Sequence, residues 1–412
     1  MARILVVGGS LGGLMAANVL SRAGHAVTLL ERSATKLDGR GAGIVTHSGL
    51  LHALREAGVT LDDTLGVQVQ DRVALDAQGA ITARGHYAQV LTSWGRLHAL
   101  LTQALPANSA CLRMGMSVQH VEQDGAGVQA ICANGEVLSA DLLVASDGIR
   151  STVRAQLAPQ VQPQYAGYVA WRGVCDEALL SGHCLHTLFE HFGFGLPAGE
   201  QIIGYPVAGH DNQTTRGARR YNFVWYRPAD EALMLPRLMT DGDGVHHAGG
   251  IAPNKIHWRE IAALREAARQ LLAPQFAEVL EKTAQPFLQP IHDVMSARLA
   301  FGRVALMGDA AFVARPHVGM GVTKAGDDAI ALRDALAQHG ATPAAWQAYE
   351  DQRLRPGQAV VERGRALGAY MQAQGGDTAA RGDAEARRSA WTVLSDTAVD
   401  LARRVLPLPL AA

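Results

Sequence analysis

Three acidic residues in this chain close or follow short apolar runs and stand beside loop residues. Glu31 closes "HAVTLLE", Asp147 follows "DLLVAS" and precedes Gly148, and Asp309 follows "RVALMG". A carboxylate at the carboxyl end of a buried strand can accept hydrogen bonds from sugar hydroxyls. A glycine-rich turn nearby opens backbone N–H groups to phosphate. The stretch "VVGGSLGGLMAANVL" supplies such a turn. Gly8 lets the strand turn sharply, and Ser10 takes the place of the middle glycine in G-x-G-x-x-G. Leu11 opens the helix, and Gly13 lets that helix lie close to the sheet. Glu31 follows about 20 residues on, the spacing at which an acid meets both hydroxyls of an adenosine ribose and repels a 2′-phosphate. This pattern leaves NAD and FAD both open, and also a glycine-rich turn with no ligand.

A second constellation lies further along. "GDAAFVARPHVGMG" carries Asp309, then Pro316 and His317, then Gly319, Met320 and Gly321 ahead of a helical pattern. A loop ending in G-x-G before a helix aims N–H groups at one spot, and the helix N-terminus there favours negative charge. The lesser alternatives are that Asp309 caps a structural helix and that Asp147 is a turn aspartate.

The elements that must hold these residues follow from periodicity. Residues 3–8 form a short apolar strand, residues 11–23 a helix ending at Gly24, and "HAVTLLE" a second strand, which together make a β-α-β unit with a right-handed crossover. Short helices are expected over 50–58 and 95–105. "MSVQHVEQ", "GVQAICA" and "EVLSADLLVASDG" read as a meander turning at Asp124-Gly125 and Asn134-Gly135. From Tyr165 to about Phe287 the chain changes character. "YAGYVAWRGV", "LHTLFEHFGFGLPAG", "QIIGYPVAG" and "YNFVWYRP" are rich in aromatic and β-branched residues and read as an antiparallel sheet. A helical stretch spans 258–282, "RVALMGDAA" returns to a buried strand, and a helix runs from Gly321 to about Leu336. The tail from Ala344 is helical, with "QGGDTAARGD" as a flexible link. The expected fold is α/β: a Rossmann-like domain with a parallel sheet (1–160 and 288–340), an inserted substrate domain with an antiparallel sheet (161–287), and C-terminal helices (341–412).

Taken together, the N-terminal fingerprint, "SDGIRSTVR" (D-G-x-x-S-x-x-R) and "GDAAFVARPHVGMG" resemble the three signatures of the single-component flavin-dependent aromatic hydroxylases, the family typified by p-hydroxybenzoate hydroxylase. The resemblance covers residues 3 to about 336. "VVGGS", "YAGYVAWRGV" and "GDAA…RPH" are similar to the members that act on 2,6-dihydroxypyridine and on 6-hydroxynicotinate. It implies FAD as cofactor, NADH (or NADPH) as a transient co-substrate, O2, and a small hydroxylated N-heteroaromatic ring attacked through a flavin C4a-hydroperoxide. It also implies residue roles. Glu31, with Arg32 beside it, holds the adenosine ribose, and Arg96 reaches the FAD phosphates. Asp147 and Gly148 serve FAD and the visiting nicotinamide. Asp309 contacts the ribityl or ribose hydroxyls, and Pro316 with Gly319, Met320 and Gly321 wraps the isoalloxazine. This chain departs from the family at Phe312, where a histidine is usual, and at Met320, where glutamine is commoner.

Deprotonating the ring is the remaining task, and His317, His47, Tyr226 and Tyr205 are the candidates. Each also reads as an ordinary loop or core residue, and Arg172 of "WRG" as structural. "HCLH" (183–186) with His191 has metal-ligand residue types but no paired spacing, so no metal is expected. "GRG" (39–41) reads equally as a pyrophosphate contact and as a solvated loop. A hydroxylase of urate or a phenolic acid, a flavin reductase of isoprenoids and a non-enzymatic flavin redox sensor stay open.

Bulk properties bound the partners. The chain has 412 residues, 48% hydrophobic, with a formal net charge of −1. With no basic surplus, neither nucleic acid nor an anionic membrane is an expected partner. No apolar run reaches the ~18 residues of a membrane span. Four cysteines without a C-x-x-C pair fit a reducing compartment, so a cytoplasmic location is expected, as a monomer or a homodimer.

Overall fold

The protein is described here from a computed structural model, which covers residues 1–35, 43–372, 378–386, 388–400 and 403–410. "GRG" at 39–41 and the first half of "QGGDTAARGD" lie outside the described residues.

"ILVV" has no polar residue to offer solvent, so its strand, Arg3–Val7, is buried on both faces in the middle of a parallel sheet. The order across that sheet is Ala300–Phe301, Val304–Leu306, Leu142–Ala145, Arg3–Val7, Ala26–Glu31, Ala110–Met114. Every neighbouring pair is parallel except the edge hairpin of Ala300–Phe301 with Val304–Leu306. Helix Leu11–Arg22 crosses over this sheet and packs on Gly321–His339, which in turn meets Ser48–Glu56 and Pro343–Gly368. The strands Val118–Gln123, Val128–Cys132 and Val137–Ala140 form the expected meander, with Gly135 at φ 83° in its second turn.

The second sheet is antiparallel apart from one pair, Phe192–Gly195 with Val67–Leu75. Its central strands are Phe287–Met295, Gln164–Asp176, Arg220–Pro228 and Gln201–Val207. Alternation sends successive side chains to opposite faces. Val169, Trp171, Ile202, Phe223 and Trp225 pack under helices Trp258–Leu271 and Pro274–Lys282. Tyr168, Ala170, Ile203, Tyr205, Val224 and Tyr226 form the other face, turned toward the nucleotide half of the molecule. Each fully buried aromatic on either face contributes roughly 1.5–3 kcal/mol.

Two stretches differ from the sequence reading. Residues 182–189 are helical, Gly182–Cys184 followed by a wide turn at Leu185–Phe189, so "LHTLFEHFGFG" gives a strand only at Phe192–Gly195. Ser181 decides this: its hydroxyl accepts the Cys184 N–H and caps the turn. The second half of the expected link is a helix, Thr378–Ala386, followed by Ala390–Asp396. The chain also adds a short strand, Leu406–Pro407, to the edge of Ile81–Ser93.

Candidate active site

Two cavities lie end to end along the junction of the halves. The first, about 330 Å³, is lined by Gly8, Ser10, Glu31, Arg32, Asp147, Gly148 and neighbours. The second, about 430 Å³, is lined by Tyr205, Tyr226, Arg172, Asp309, Pro316, Gly319, Met320 and Gly321 among others. Trp94 borders both, and the consecutive residues Gly148 and Ile149 border one each.

In the first cavity the glycines act through sterics. Gly8 has φ 106°, and a Cβ there would meet the Ser146 carbonyl oxygen at 2.3 Å. A Cβ on Gly13 would lie 1.8 Å from the Gly8 oxygen, so only glycine lets the helix approach. Ser10 precedes the helix and makes no side-chain cap. The first N–H groups of the helix, from Leu11 on, therefore have neither an intrahelical acceptor nor a side-chain cap, and Ser10 just before them lines the cavity. Glu31 accepts from the Gly9 N–H through Oε2 and from the Ser33 N–H through Oε1, both at 2.8 Å. These bonds fix its carboxylate while leaving each oxygen a second lone pair. Exposed Arg32 lies beside it on the cavity wall. Asp147 accepts from the Val153 N–H through Oδ2, and its Oδ1 is buried with no partner. Burial pushes its carboxyl up.

Arg154, the last residue of D-G-x-x-S-x-x-R, ties the motifs together. Its guanidinium donates to the Ile149 oxygen and, at 2.9 Å, to the Ala310 oxygen. The D-G loop is thereby held to the loop of Asp309. Arg96 behaves differently from expectation: it donates to the Thr64 carbonyl and hydroxyl and borders neither cavity, whereas Trp94 on the same helix borders both.

In the second cavity, Asp309 is an exposed residue of the lining, and the surrounding protein pushes its carboxyl up. Gly319 turns at φ 70°, and helix Gly321–His339 starts at the cavity with Met320 as an uncapped lead residue. Tyr205 and Tyr226 form the floor, and burial raises both phenols, Tyr205 to about 12. Pro316 is in the wall.

The two histidines sit behind that wall, since neither borders the cavity. His317 is fully buried, with Nε2 at 2.6 Å from the Tyr168 hydroxyl and its ring 4.5 Å from that of Tyr226. Burial and Arg315 lower its pKa to about 3. His47 pairs through Nδ1 with the Thr323 hydroxyl at 3.3 Å, and burial lowers it to about 4. Phe312 is core: its ring packs against Gly357 of the long helix Pro343–Gly368.

The sequence reading passed over Trp94 and took Arg172 as structural. Strand alternation carries the signal for Arg172, because it shares a face with Tyr168 and Ala170. His183 and Cys184 lie in the helical turn away from both cavities, with Cys184 buried.

A strand–turn–helix cradle with an acid on its second strand, joined to a cleft over an aromatic sheet, defines a flavoprotein oxidoreductase architecture. Residues 1–188 and 248–364 match the FAD binding domain family, and residues 165–293 match the FAD binding domain-like family. The chain belongs to the FAD binding domain family and is a flavin-dependent aromatic hydroxylase. It is 31% identical over 374 residues to the 2,6-dihydroxypyridine 3-monooxygenase of Paenarthrobacter nicotinovorans, covering 90% of this chain and 91% of that one. It is 28% identical to the 6-hydroxynicotinate 3-monooxygenase of Bordetella bronchiseptica, over 85% of this chain and 87% of that one. The solved structure of 2,6-dihydroxypyridine-3-hydroxylase from Arthrobacter nicotinovorans superposes with a TM-score of 0.83 at 30% identity, covering 91% and 94% of the two chains. Among the described residues no helix is long and apolar enough to cross a membrane.

The residues present fit FAD. Glu31 offers acceptors to a ribose diol, the Leu11 end of the helix offers donors to a pyrophosphate, and the orphaned Oδ1 of Asp147 asks for a donor from a ligand. At the other end, Asp309 and the start of the Gly321 helix flank space for a flat ring.

Proposed function

We propose that the protein uses NADH and O2 to hydroxylate a small hydroxylated N-heteroaromatic ring of the pyridine type. Bound FAD would supply the redox chemistry that couples oxidation of the nicotinamide to activation of dioxygen. The chain's own residues have four tasks. Glu31, Arg32, Ser10, Gly13 and Asp147 bind the adenosine and pyrophosphate end. Asp309 holds the ribityl chain. The helix start at Gly319–Gly321 stabilises negative charge on the pyrimidine edge of the ring. Tyr205, Tyr226 and Pro316 shape the substrate space and exclude water from it. His317 and His47, behind the wall, act as positioning residues. His317 sets the Tyr168 hydroxyl and the Tyr226 ring, and His47 backs Gly319, whose Cβ would meet it at 3.3 Å.

One observation carries this reading: a single cavity of about 430 Å³ is lined both by Asp309 and Gly319–Gly321, the residues suited to a flavin ring, and by the aromatic floor of Tyr205 and Tyr226, in a chain two of whose relatives are named for hydroxypyridine substrates. The test is a screen of hydroxypyridines, hydroxynicotinates, urate and phenolic acids on FAD-loaded protein, following NADH loss, O2 uptake and hydroxylated product together. A hydroxypyridine that stimulates all three in equal amounts is the expected result. Stimulation by urate or a phenolic acid alone moves the substrate class. NADH loss with reduction of an added isoprenoid and no O2 uptake makes it a reductase. Tight FAD with no turnover on any ring makes it a sensor.

A further inference from the structure

The substrate cavity contains a cation that the fold does not neutralise. Arg172 lies on strand Gln164–Asp176, between Val224 of one neighbouring strand and Phe287 of the other. Its Nη1 donates to the neutral side-chain amide of Gln289 at 2.8 Å, and its Nε is buried with no acceptor. Among the described residues no carboxylate lies within ion-pair reach of it. The other arginine on the cavity wall, Arg315, is already matched by Asp293 at 3.0 Å. On the same sheet Arg227 is matched by Glu200 and Arg84 by Asp71, and buried Arg72 is held by three carbonyls and Gln89. Of the two arginines on the cavity wall, Arg172 alone lacks a counter-charge.

Arg172 is half-buried, and its one buried, unpaired nitrogen together with the missing counter-charge leaves it better satisfied when an anionic acceptor arrives. The surroundings say what shape the acceptor has. Ile203, Val224 and Phe287 supply flat apolar walls, and Tyr205 and Tyr226 the floor. The positive charge reaches both phenols, where it opposes the effect of their burial. His292 lies in the same wall and is kept neutral by burial, so it does not compete for an anion.

We propose that Arg172 anchors the substrate, and that the substrate presents a ring-borne oxyanion, a carboxylate or an ionised ring hydroxyl, to the open edge of this guanidinium. The inference rests on reading the second cavity as the ring site and adds the charge of the ring. A planar fork suits a planar oxyanion bidentately. The contact also orders the ring, because the guanidinium is held from one side by Gln289 and can offer only its remaining edge.

The experiment uses the FAD-loaded protein and equilibrium binding, read from the change in the flavin absorption spectrum. Matched ring pairs are titrated: a hydroxypyridine carboxylate against its carboxamide, and a hydroxypyridine against its methoxy ether. The wild type is expected to prefer the anionic partner of at least one pair, and the pair that discriminates names the oxyanion. Arg172→Gln, which keeps polar atoms and removes the charge, should weaken that anion by about 10- to 100-fold while changing its neutral partner less than about 3-fold. Arg172→Lys should recover part of the loss, as a point charge without the fork. FAD content and melting temperature serve as folding controls, and the wild-type preference needs no variant. Equal binding of both members of every pair, or an equal loss for both in Arg172→Gln, overturns the anchor alone. A flavin spectrum that no ring perturbs overturns the ring cavity and the anchor with it.

Discussion

Arg72 offers the sharpest test of how the C-terminal segment shapes this site. It is 0% exposed. Its Nη1 donates to the carbonyls of Leu394 (3.1 Å) and Thr397 (2.6 Å), and its Nη2 to Ala398 (2.8 Å) and to Gln89 Oε1 (2.9 Å). The guanidinium lies 4.6 Å from the Tyr87 ring centre and 4.7 Å from that of Phe192. Burial draws its pKa down to about 9, which leaves it a cation at neutral pH. Ala398, held in this way, lines the substrate cavity. Arg72→Met keeps the stem and removes all four bonds. Three buried oxygens, the Leu394 and Thr397 carbonyls and Gln89 Oε1, then lack a donor, at about 1–3 kcal/mol each, or roughly 3–9 kcal/mol if the segment stays docked. Loss of the arginine's own desolvation penalty, several kcal/mol, offsets part of this. The net is about 2–5 kcal/mol, and undocking of 394–400 sets the ceiling. The expected result is a roughly 30- to 4,000-fold fall in amide-exchange protection over 394–400 in the FAD-loaded protein, with weaker ring binding. Arg72→Lys should lie between, because one ammonium cannot span three carbonyls. Unchanged protection over 394–400 in Arg72→Met would refute the argument.

Other consequences can be checked in parallel. Gly13→Ala puts a methyl 1.8 Å from the Gly8 oxygen, so the helix must retreat; overpacking of about 1–3 kcal/mol predicts FAD affinity lowered about 5- to 150-fold, measured by reconstitution. Asp147→Asn removes a carboxyl that burial already disfavours, so the FAD-free protein should melt higher while FAD binds more weakly; a lower melting temperature with intact FAD affinity would contradict the ligand role of Oδ1. His47 and His317 are held neutral, with pKa values near 4 and 3. Unfolded histidine takes up its proton near pH 6.5, so stability is full above that pH and falls as pH drops toward each folded value, by about 1.4 kcal/mol per pH unit per group. Denaturant unfolding between pH 7.5 and 5 should therefore be shallower in pH for His47→Gln and His317→Gln than for wild type.

The cofactor half was largely legible because its signals are local. Strand, glycine turn, helix and acid fall within Arg3–Glu31, and each has a steric or hydrogen-bonding reason that needs no distant partner. The second sheet was legible in kind, from aromatic and β-branched runs, but not in extent. Val67–Leu75 and Ile81–Ser93 joined it unannounced, although "VQVQ" alternates as a half-buried strand should. The substrate wall was the least legible. Whether His317 faces a cavity or hides behind one depends on Tyr168, 149 positions away, and on Gly368 of the long helix, whose Cβ would stand 2.7 Å from its Nε2. No local pattern records such a choice.

The same point changes what the last glycine motif means. Gly319 was read as a loop glycine that wraps a cofactor. Its φ of 70° requires glycine in any case. A Cβ there would also stand 2.9 Å from the Cβ of Ala398, itself at φ 51°, and 3.3 Å from Cε1 of His47. Ala398 in turn donates its N–H to the His317 oxygen at 2.8 Å. Asp400, two residues on, accepts from the Ser48 N–H at 2.9 Å. The C-terminal segment is thus wedged between the glycine loop and the helix that begins at Ser48, with Arg72 holding its other side. A single glycine meets two demands, the left-handed turn that leads into the Gly321 helix at the cavity and a gap for the chain that closes it. Gly319→Ala should therefore loosen 394–400 as well as weaken FAD, whereas Gly13→Ala should weaken FAD and leave 394–400 protected.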